Sequence, residues 1–233
     1  MAVDLGPRFV QWGLPVRAQG NRPTCSVFTI AGAIEYARAA ATGVGVCLSI
    51  DFLNWGVRQL TGRAEDGGLF SDVWEAYRRF GACAESELPY GTGADASFAP
   101  APACRASAAA SIDPSLRLHW IKEWDVATGL APGQLEAIKA ALGAGRPVCG
   151  GFRWPKRQRW DDGVLAMCAA DEVYDGHSVL LYGYRDDPAF GGGGVALIRN
   201  SGGASRDGAL PFAYLAAFMN DAAWIGPVRG GTV

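Results

Sequence analysis

Histidine and lysine are scarce in this chain. Its 233 residues include two His, at 119 and 177, and its 21 basic side chains are Arg apart from Lys122, Lys139 and Lys156. The basic residues form no run or stripe, and against 23 acidic side chains they leave a formal charge of only -2. A nucleic-acid grip that works by counterion release is thereby excluded. Long apolar runs are missing too: a stretch such as 178–184 falls far short of the ~20 residues that cross a bilayer, so no membrane partner is expected. The six cysteines, at 25, 47, 83, 104, 149 and 168, include no close pair of the zinc-site kind. The opening Met1-Ala2-Val3-Asp4-Leu5-Gly6-Pro7 shows no basic leader, apolar core or small-residue cleavage site. A cytoplasmic location with reduced cysteines is therefore expected, and the same start is compatible with delivery by a specialised secretion system.

Apolar surface, in contrast, is plentiful. Apolar residues make up 49% of the chain and aromatic residues 11%, with eight Trp, while charged residues are 19%. That composition excludes disorder and supplies a core for one domain or two small lobes. The choice of Arg over Lys, with abundant Ala and Gly, points to a GC-rich, bacterial genome.

Periodicity divides the chain. Val27, Ile30, Ala31, Ile34 and Ala37 share one face of a predicted helix over 24–41, with Thr24 as its N-cap and Cys25 in its first turn. A second helix is predicted from Ser49 to just before Gly62, and a third after Gly67-Gly68, carrying Phe70, Val73, Trp74 and Tyr77 and stopping near Gly81. The Ala, Ser, Pro and Gly-rich stretch 91–115 is expected to be a surface connection. Beyond it the period becomes that of strands, at 116–120, 148–152, 178–184 and 195–199, with a short helix at 132–142 and a glycine-rich hairpin loop at 185–194. The expected class is α+β, with a mainly helical lobe over 1–110, a mainly β lobe over 111–233, and a cleft between them.

Five residues, taken singly, have ordinary structural explanations. Cys25 suits a helix core, His177 a strand end, and Asn200 or Gly67-Gly68 a turn. Their joint order is less ordinary. Val16-Arg17-Ala18-Gln19-Gly20-Asn21-Arg22-Pro23-Thr24-Cys25, Asp175-Gly176-His177-Ser178-Val179 and Leu197-Ile198-Arg199-Asn200-Ser201-Gly202-Gly203 look like parts of one site. A thiol of ordinary pKa, ~8.5, is only slightly ionised at neutral pH, so a nucleophilic Cys needs positive charge nearby. A helix N-terminus and an imidazolium can supply it. The other histidine, His119, is expected to be satisfied or solvent-facing on its strand.

Together these segments resemble the papain-like cysteine peptidases. The resemblance implies a two-lobe α+β fold, with a helical N-terminal lobe, an antiparallel β-sheet or barrel C-terminal lobe, and the active cleft between them. It implies Cys25 as nucleophile, His177 as acid–base partner, Asn200 as the group that holds the imidazole, and Gln19 as oxyanion donor. It implies that Gly67 and Gly68, followed by Leu88-Pro89-Tyr90, pair with an extended substrate, and that Asp175 lines a pocket that would favour Arg, Lys or a polar side chain; that Asp175 instead turns outward and caps its loop stays open. Three departures stand out. Arg22-Pro23-Thr24-Cys25-Ser26 lacks the family's upstream disulfide cysteine. Gly202 stands where the family has an aromatic shield, so a wetter His–Asn hydrogen bond is expected. His177 and Asn200 follow Cys25 by 152 and 175 residues, against a family range of about 130 to 150.

The expected function is thiol-dependent hydrolysis of a peptide or isopeptide bond through a Cys25 thioester. Acyl transfer or deamidation at the same site, and an inactive papain fold kept as a binding module, stay open. No metal or organic cofactor is implied. The expected partners are a peptide or protein substrate and, because only 24 residues precede Cys25, a separate regulator or inhibitor protein; a monomer is expected.

Overall fold

A computed structural model describes residues 1–202 and 207–227. The chain opens with β1 (Ala2–Asp4) and α1 (Gly6–Gln11), then builds three longer helices, α2 (Cys25–Thr42), α3 (Ile50–Thr61) and α4 (Phe70–Phe80), and a short α5 (Pro102–Ala110). Strands dominate afterwards: β2 (Leu116–Lys122), then α6 (Gln134–Gly143), β3 (Val148–Pro155), β4 (Trp160–Asp161), β5 (Val164–Leu165) and the long β6 (Val173–Asp186). β7 (Gly194–Arg199), β8 (Asp207–Pro211), α7 (Phe212–Phe218) and β9 (Met219–Pro227) complete it. The class is α+β, as the periodicity predicts.

The helix boundaries follow from local chemistry. Ser49 caps α3 by accepting the Phe52 amide at 3.1 Å, and Gly62 ends it in the left-handed region at φ 68. α2 departs from expectation at its start: Thr24 makes no side-chain cap, because its hydroxyl bonds the Tyr90 hydroxyl at 2.7 Å instead. Val27, Ile30, Ala31 and Ile34 of α2 are fully buried, each large one contributing roughly 1.5–3 kcal/mol. Gly32 lets the helix lie close on β6, since a Cβ there would come within 3.2 Å of Leu180 Cδ2.

The stretch read as a surface connection contains α5. Pro102 opens it, where a missing N–H costs nothing, and the alanines that follow favour helix without any apolar stripe to reveal it. Only Ala108 of this helix is buried.

Among the described residues the strands form a nine-stranded sheet in the order β2-β9-β3-β6-β7-β8-β5-β4, with β1 also paired to β6. Pairing is antiparallel except for β5 with β8. β6 begins before the predicted 178 because its first residues, Val173 and Tyr174, continue the ladder with β3. β9 has no counterpart among the predicted strands. Met219, Ala222, Ala223 and Ile225 are all buried, so its two faces lack the alternation of a half-exposed strand. His119 lies on β2, at the end of the sheet order. It stacks on Trp224 with ring centroids 3.8 Å apart, and its Nε2 is 3.3 Å from the Gly226 carbonyl, which is the satisfied role expected of it.

Candidate active site

Cys25, the first residue of α2, meets the turn of β6 that carries Gly176, His177 and Ser178. Its Sγ is 3.8 Å from the Gly176 carbonyl oxygen. Gly176 has φ 93, a conformation that only glycine adopts at little cost, and it turns the strand toward the helix start. Burial pushes the Cys25 thiol up, while the Ser178 amide and hydroxyl favour its thiolate. Burial likewise pushes the His177 imidazole down, and the Asn200 hydrogen bond opposes that shift. Burial alone therefore favours the uncharged pair. The charged pair depends on the partial positive charge at the start of α2 and on the mutual attraction of thiolate and imidazolium.

His177 Nε2 lies 2.8 Å from Asn200 Oδ1. The same oxygen accepts the Gly202 amide at 2.9 Å, which fixes the Asn200 amide with its oxygen toward the ring. Because Oδ1 can only accept, Nε2 carries the proton and Nδ1 is left as the second functional nitrogen. Asn200 is brought to β6 by its position directly after β7, whose Arg199 pairs with Leu180.

The expected exposure of this bond is not what the structure has. His177 and Asn200 are both buried, and Trp154 of β3 packs on His177 with ring centroids 4.6 Å apart and an interplanar angle of 59°. The aromatic wall is supplied by a neighbouring strand, two residues beyond the Phe152 that pairs with His177. A Cβ at Gly202 would stand 3.1 Å from His177 Cε1, so glycine there leaves the ring its room.

Gln19 is fixed at both ends of its amide. Ser201 Oγ donates to its Oε1 at 2.8 Å, and its Nε2 donates to the Arg22 carbonyl at 2.9 Å. One N–H of the two on Nε2 remains, on the loop that leads into Cys25. Tyr90 braces this loop by donating to the Gln19 carbonyl at 2.8 Å while it receives the Thr24 hydroxyl.

Where the family has a disulfide cysteine, Arg22 makes an ionic tie. Its Nε is 2.7 Å from Asp66 Oδ2 and its Nη1 is 2.6 Å from Asp51 Oδ1, and its guanidinium lies over the Tyr90 ring. The Asp66 hydrogen bond holds Arg22 above its ordinary value. Burial would raise Asp66, but hydrogen bonds from Arg22 and Asn54 and the charges of Arg22 and Arg58 outweigh it and hold this carboxyl low. Asp66 thereby connects the Cys25 loop to Gly67-Gly68.

Gly67 has φ 79, and a Cβ there would meet the Pro23 carbonyl oxygen at 2.4 Å. At Gly68 a Cβ would stand 3.0 Å from Val57 Cγ1 and 3.2 Å from Asp72 Oδ2. Both glycines are thus required by the packing of their own loop, in addition to any role toward substrate. Gly68 borders a cavity of about 200 Å³ that also reaches Leu69, Trp124, Val126, His177 and Asp221. The side chain of Asp175, the acid expected in this region, lies outside the described residues. Asp221, Trp154 and Ser201 are the residues of the site whose contacts motif reading did not supply. For Trp154, its place two positions after Phe152 on one strand was the available signal.

Comparisons with known proteins bear on the family and the fold. A profile of the papain family cysteine proteases matches residues 10–208. Xylellain, a cysteine protease from Xylella fastidiosa, has a similar structure, with a TM-score of 0.76 and 23% identity over 98% of this chain and 86% of that one. Digestive procathepsin L 3 of the Tenebrio molitor larval midgut gives a TM-score of 0.66 and 19% identity over 97% of this chain and 69% of that one. No curated protein matches the sequence. The papain fold is shared with these structures, and, by the match over most of its length, the chain belongs to the papain family of cysteine proteases.

Proposed function

We propose that this chain hydrolyses peptide bonds through a thioester on Cys25. The Cys25 thiolate attacks the substrate carbonyl carbon, and the negative charge moves to the carbonyl oxygen. The remaining Gln19 N–H and the Cys25 amide donate to that oxyanion. His177, protonated on both nitrogens at this stage, delivers the Nδ1 proton to the departing amine, and the C–N bond breaks to leave the acyl group on sulfur. The neutral ring then takes a proton from water. The hydroxide equivalent attacks the thioester, and the acid and the thiolate–imidazolium pair are released. Asn200 keeps the ring in the tautomer that presents Nδ1. Gly67-Gly68 offer main chain to an extended substrate, with Arg22 and Asp66 holding that wall to the Cys25 loop.

The observation that carries this reading is the 2.8 Å contact of His177 Nε2 with Asn200 Oδ1, on a strand whose adjacent Gly176 carbonyl touches the sulfur of a helix-initial cysteine. A buried histidine with one nitrogen oriented and the other available suits proton transfer at that sulfur. Incubation of peptide mixtures with wild type and Cys25→Ala, read by mass spectrometry, tests it. New peptide termini from wild type alone support hydrolysis; unchanged mixtures from both refute it. A mass gain from added amine, or of ~1 Da at Gln or Asn, would instead indicate transfer or deamidation at the same cysteine.

A further inference from the structure

We infer that the cavity of about 490 Å³ between α1, the loop that follows it and strands β6, β7 and β8 binds a free α-amino acid with an apolar side chain, its carboxylate on Arg199 and its ammonium group on Asp207. Neither Cys25 nor His177 lines this cavity, so it is separate from the Cys25 site, and binding there does not depend on the proteolytic reading. Phe9, Val10 and Leu14 form an apolar wall, and the rest of the lining includes Tyr182, Arg199 and Asp207. Val10 is 82% exposed, an apolar surface that the ligand's side chain would cover.

The sheet sets the two charges side by side. Arg199 of β7 and Asp207 of β8 are partners in the antiparallel ladder, so their side chains start about 5 Å apart on one face. No ion pair joins them, because the guanidinium turns to the apolar wall: its Cζ lies 4.0 Å from the Phe9 ring centroid, and its Nη2 donates to the Leu14 carbonyl at 2.8 Å. That contact uses one of the five N–H donors of the group. Glu35 lines a smaller cavity together with Arg199, but it is engaged by Arg17 and the Leu48 amide. Asp207 and the Tyr182 hydroxyl are coupled to their surroundings by charge alone, without a hydrogen bond.

Burial opposes each charge, lowering Arg199 and raising Asp207. A guanidinium and a carboxylate that are partly desolvated and not joined carry a cost that a bridging ligand removes. An inorganic anion would meet Arg199 with Asp207 repelling it, and a simple cation would meet the reverse. A peptide holds its terminal charges too far apart. A free α-amino acid carries both charges on one carbon. Its carboxylate can take two guanidinium N–H groups, its ammonium group can donate to Asp207, and its side chain falls on the wall of Phe9 and Val10. Such molecules are the end products of peptide breakdown. Arg199 directly precedes Asn200, so the occupied cavity lies one residue from the group that orients His177.

The test is calorimetric titration of the full chain with four probes: leucine, N-acetyl-leucine, which lacks the ammonium group, leucinamide, which lacks the carboxylate, and glycine, which lacks the side chain. Wild type should bind leucine at least about tenfold more tightly than each of the other three. Asp207→Asn should weaken leucine about tenfold without weakening N-acetyl-leucine, because only the ammonium contact is lost. Arg199→Gln should weaken leucine by a similar factor without weakening leucinamide. Each variant is thus judged by a difference between ligands, which a general loosening of the fold would not produce. Asp207 is exposed, so its variant decides the matter if Arg199→Gln does not fold. No binding of leucine at about 10 mM, equal binding of leucine and N-acetyl-leucine or of leucine and glycine, or a leucine affinity unchanged in Asp207→Asn overturns the inference.

Discussion

Ser201 Oγ donates to Gln19 Oε1 at 2.8 Å, so the residue after Asn200 holds the residue six positions before Cys25. The two segments are remote in sequence, and this bond sets which way the Gln19 amide faces. Gln19→Ala should lower kcat roughly 10²-fold, about 3 kcal/mol, with little change in KM, because its donor acts on charge present only in the transition state. Ser201→Ala should lower kcat less, since it frees the amide without removing it. Steady-state kinetics check both; a rise in KM at constant kcat would make Gln19 a ground-state contact.

Trp154 sets the surroundings of the catalytic imidazole. Burial is the main cause that lowers His177, and the indole is one wall of that burial. Trp154→Leu should admit water and move the His177 pKa upward, and kcat should fall. The shift is best read by NMR titration in a Cys25→Ala background, where no thiolate is coupled to the ring. An unchanged titration would mean that other groups enclose His177.

Helices α2, α3, α4 and α6 were readable from apolar residues at helical spacing and from end signals such as Ser49 and Gly62 around α3, whereas the short α1, α5 and α7 were not. The motif residues Gln19, Cys25, His177 and Asn200 were readable through their order. The surroundings were not. Trp154 and Asp221 come to the site through pairings of β3 with β6 and β9, and the buried, non-alternating pattern of β9 conceals even its existence as a strand. The ionic tie of Arg22 to Asp66 was hidden for the same reason, as a contact across 44 residues.

Reactivity of Cys25 at neutral pH should depend on His177. Burial raises the thiol above its ordinary value, so without an imidazolium the thiolate forms only at high pH. Wild type should be alkylated at Cys25 ahead of the other five cysteines at about pH 6–7, whereas His177→Ala should react appreciably only above pH 9. His119→Ala should leave the profile of wild type. Mass-spectrometric mapping of iodoacetamide labelling against pH measures this, and equal labelling of all six cysteines in wild type would remove Cys25 from the chemistry.

Arg22 should contribute stability with a defined pH dependence. Asp66 is held low in the fold, so its contribution is present above the unfolded value of ~3.9 and is lost as pH falls through the lower folded value. Arg22→Met leaves Asp66 and Asp51 short of a partner, and should cost roughly 2–4 kcal/mol at pH 7. The loss should shrink below about pH 4, and KM should rise through the loosened Gly67-Gly68 wall. Thermal unfolding from pH 3 to 8 checks it, and a deficit independent of pH would assign Arg22 a packing role only.

Hydrolysis at Cys25 is tested most directly by trapping the acyl-enzyme. Wild type mixed with a peptide ester or amide and quenched in acid should show, by intact-protein mass spectrometry, the mass of the enzyme plus the acyl fragment, mapped to Cys25. His177→Ala should accumulate far less of it, and Cys25→Ala none. An acyl adduct on another residue, or new peptide termini released equally by Cys25→Ala, would contradict the mechanism.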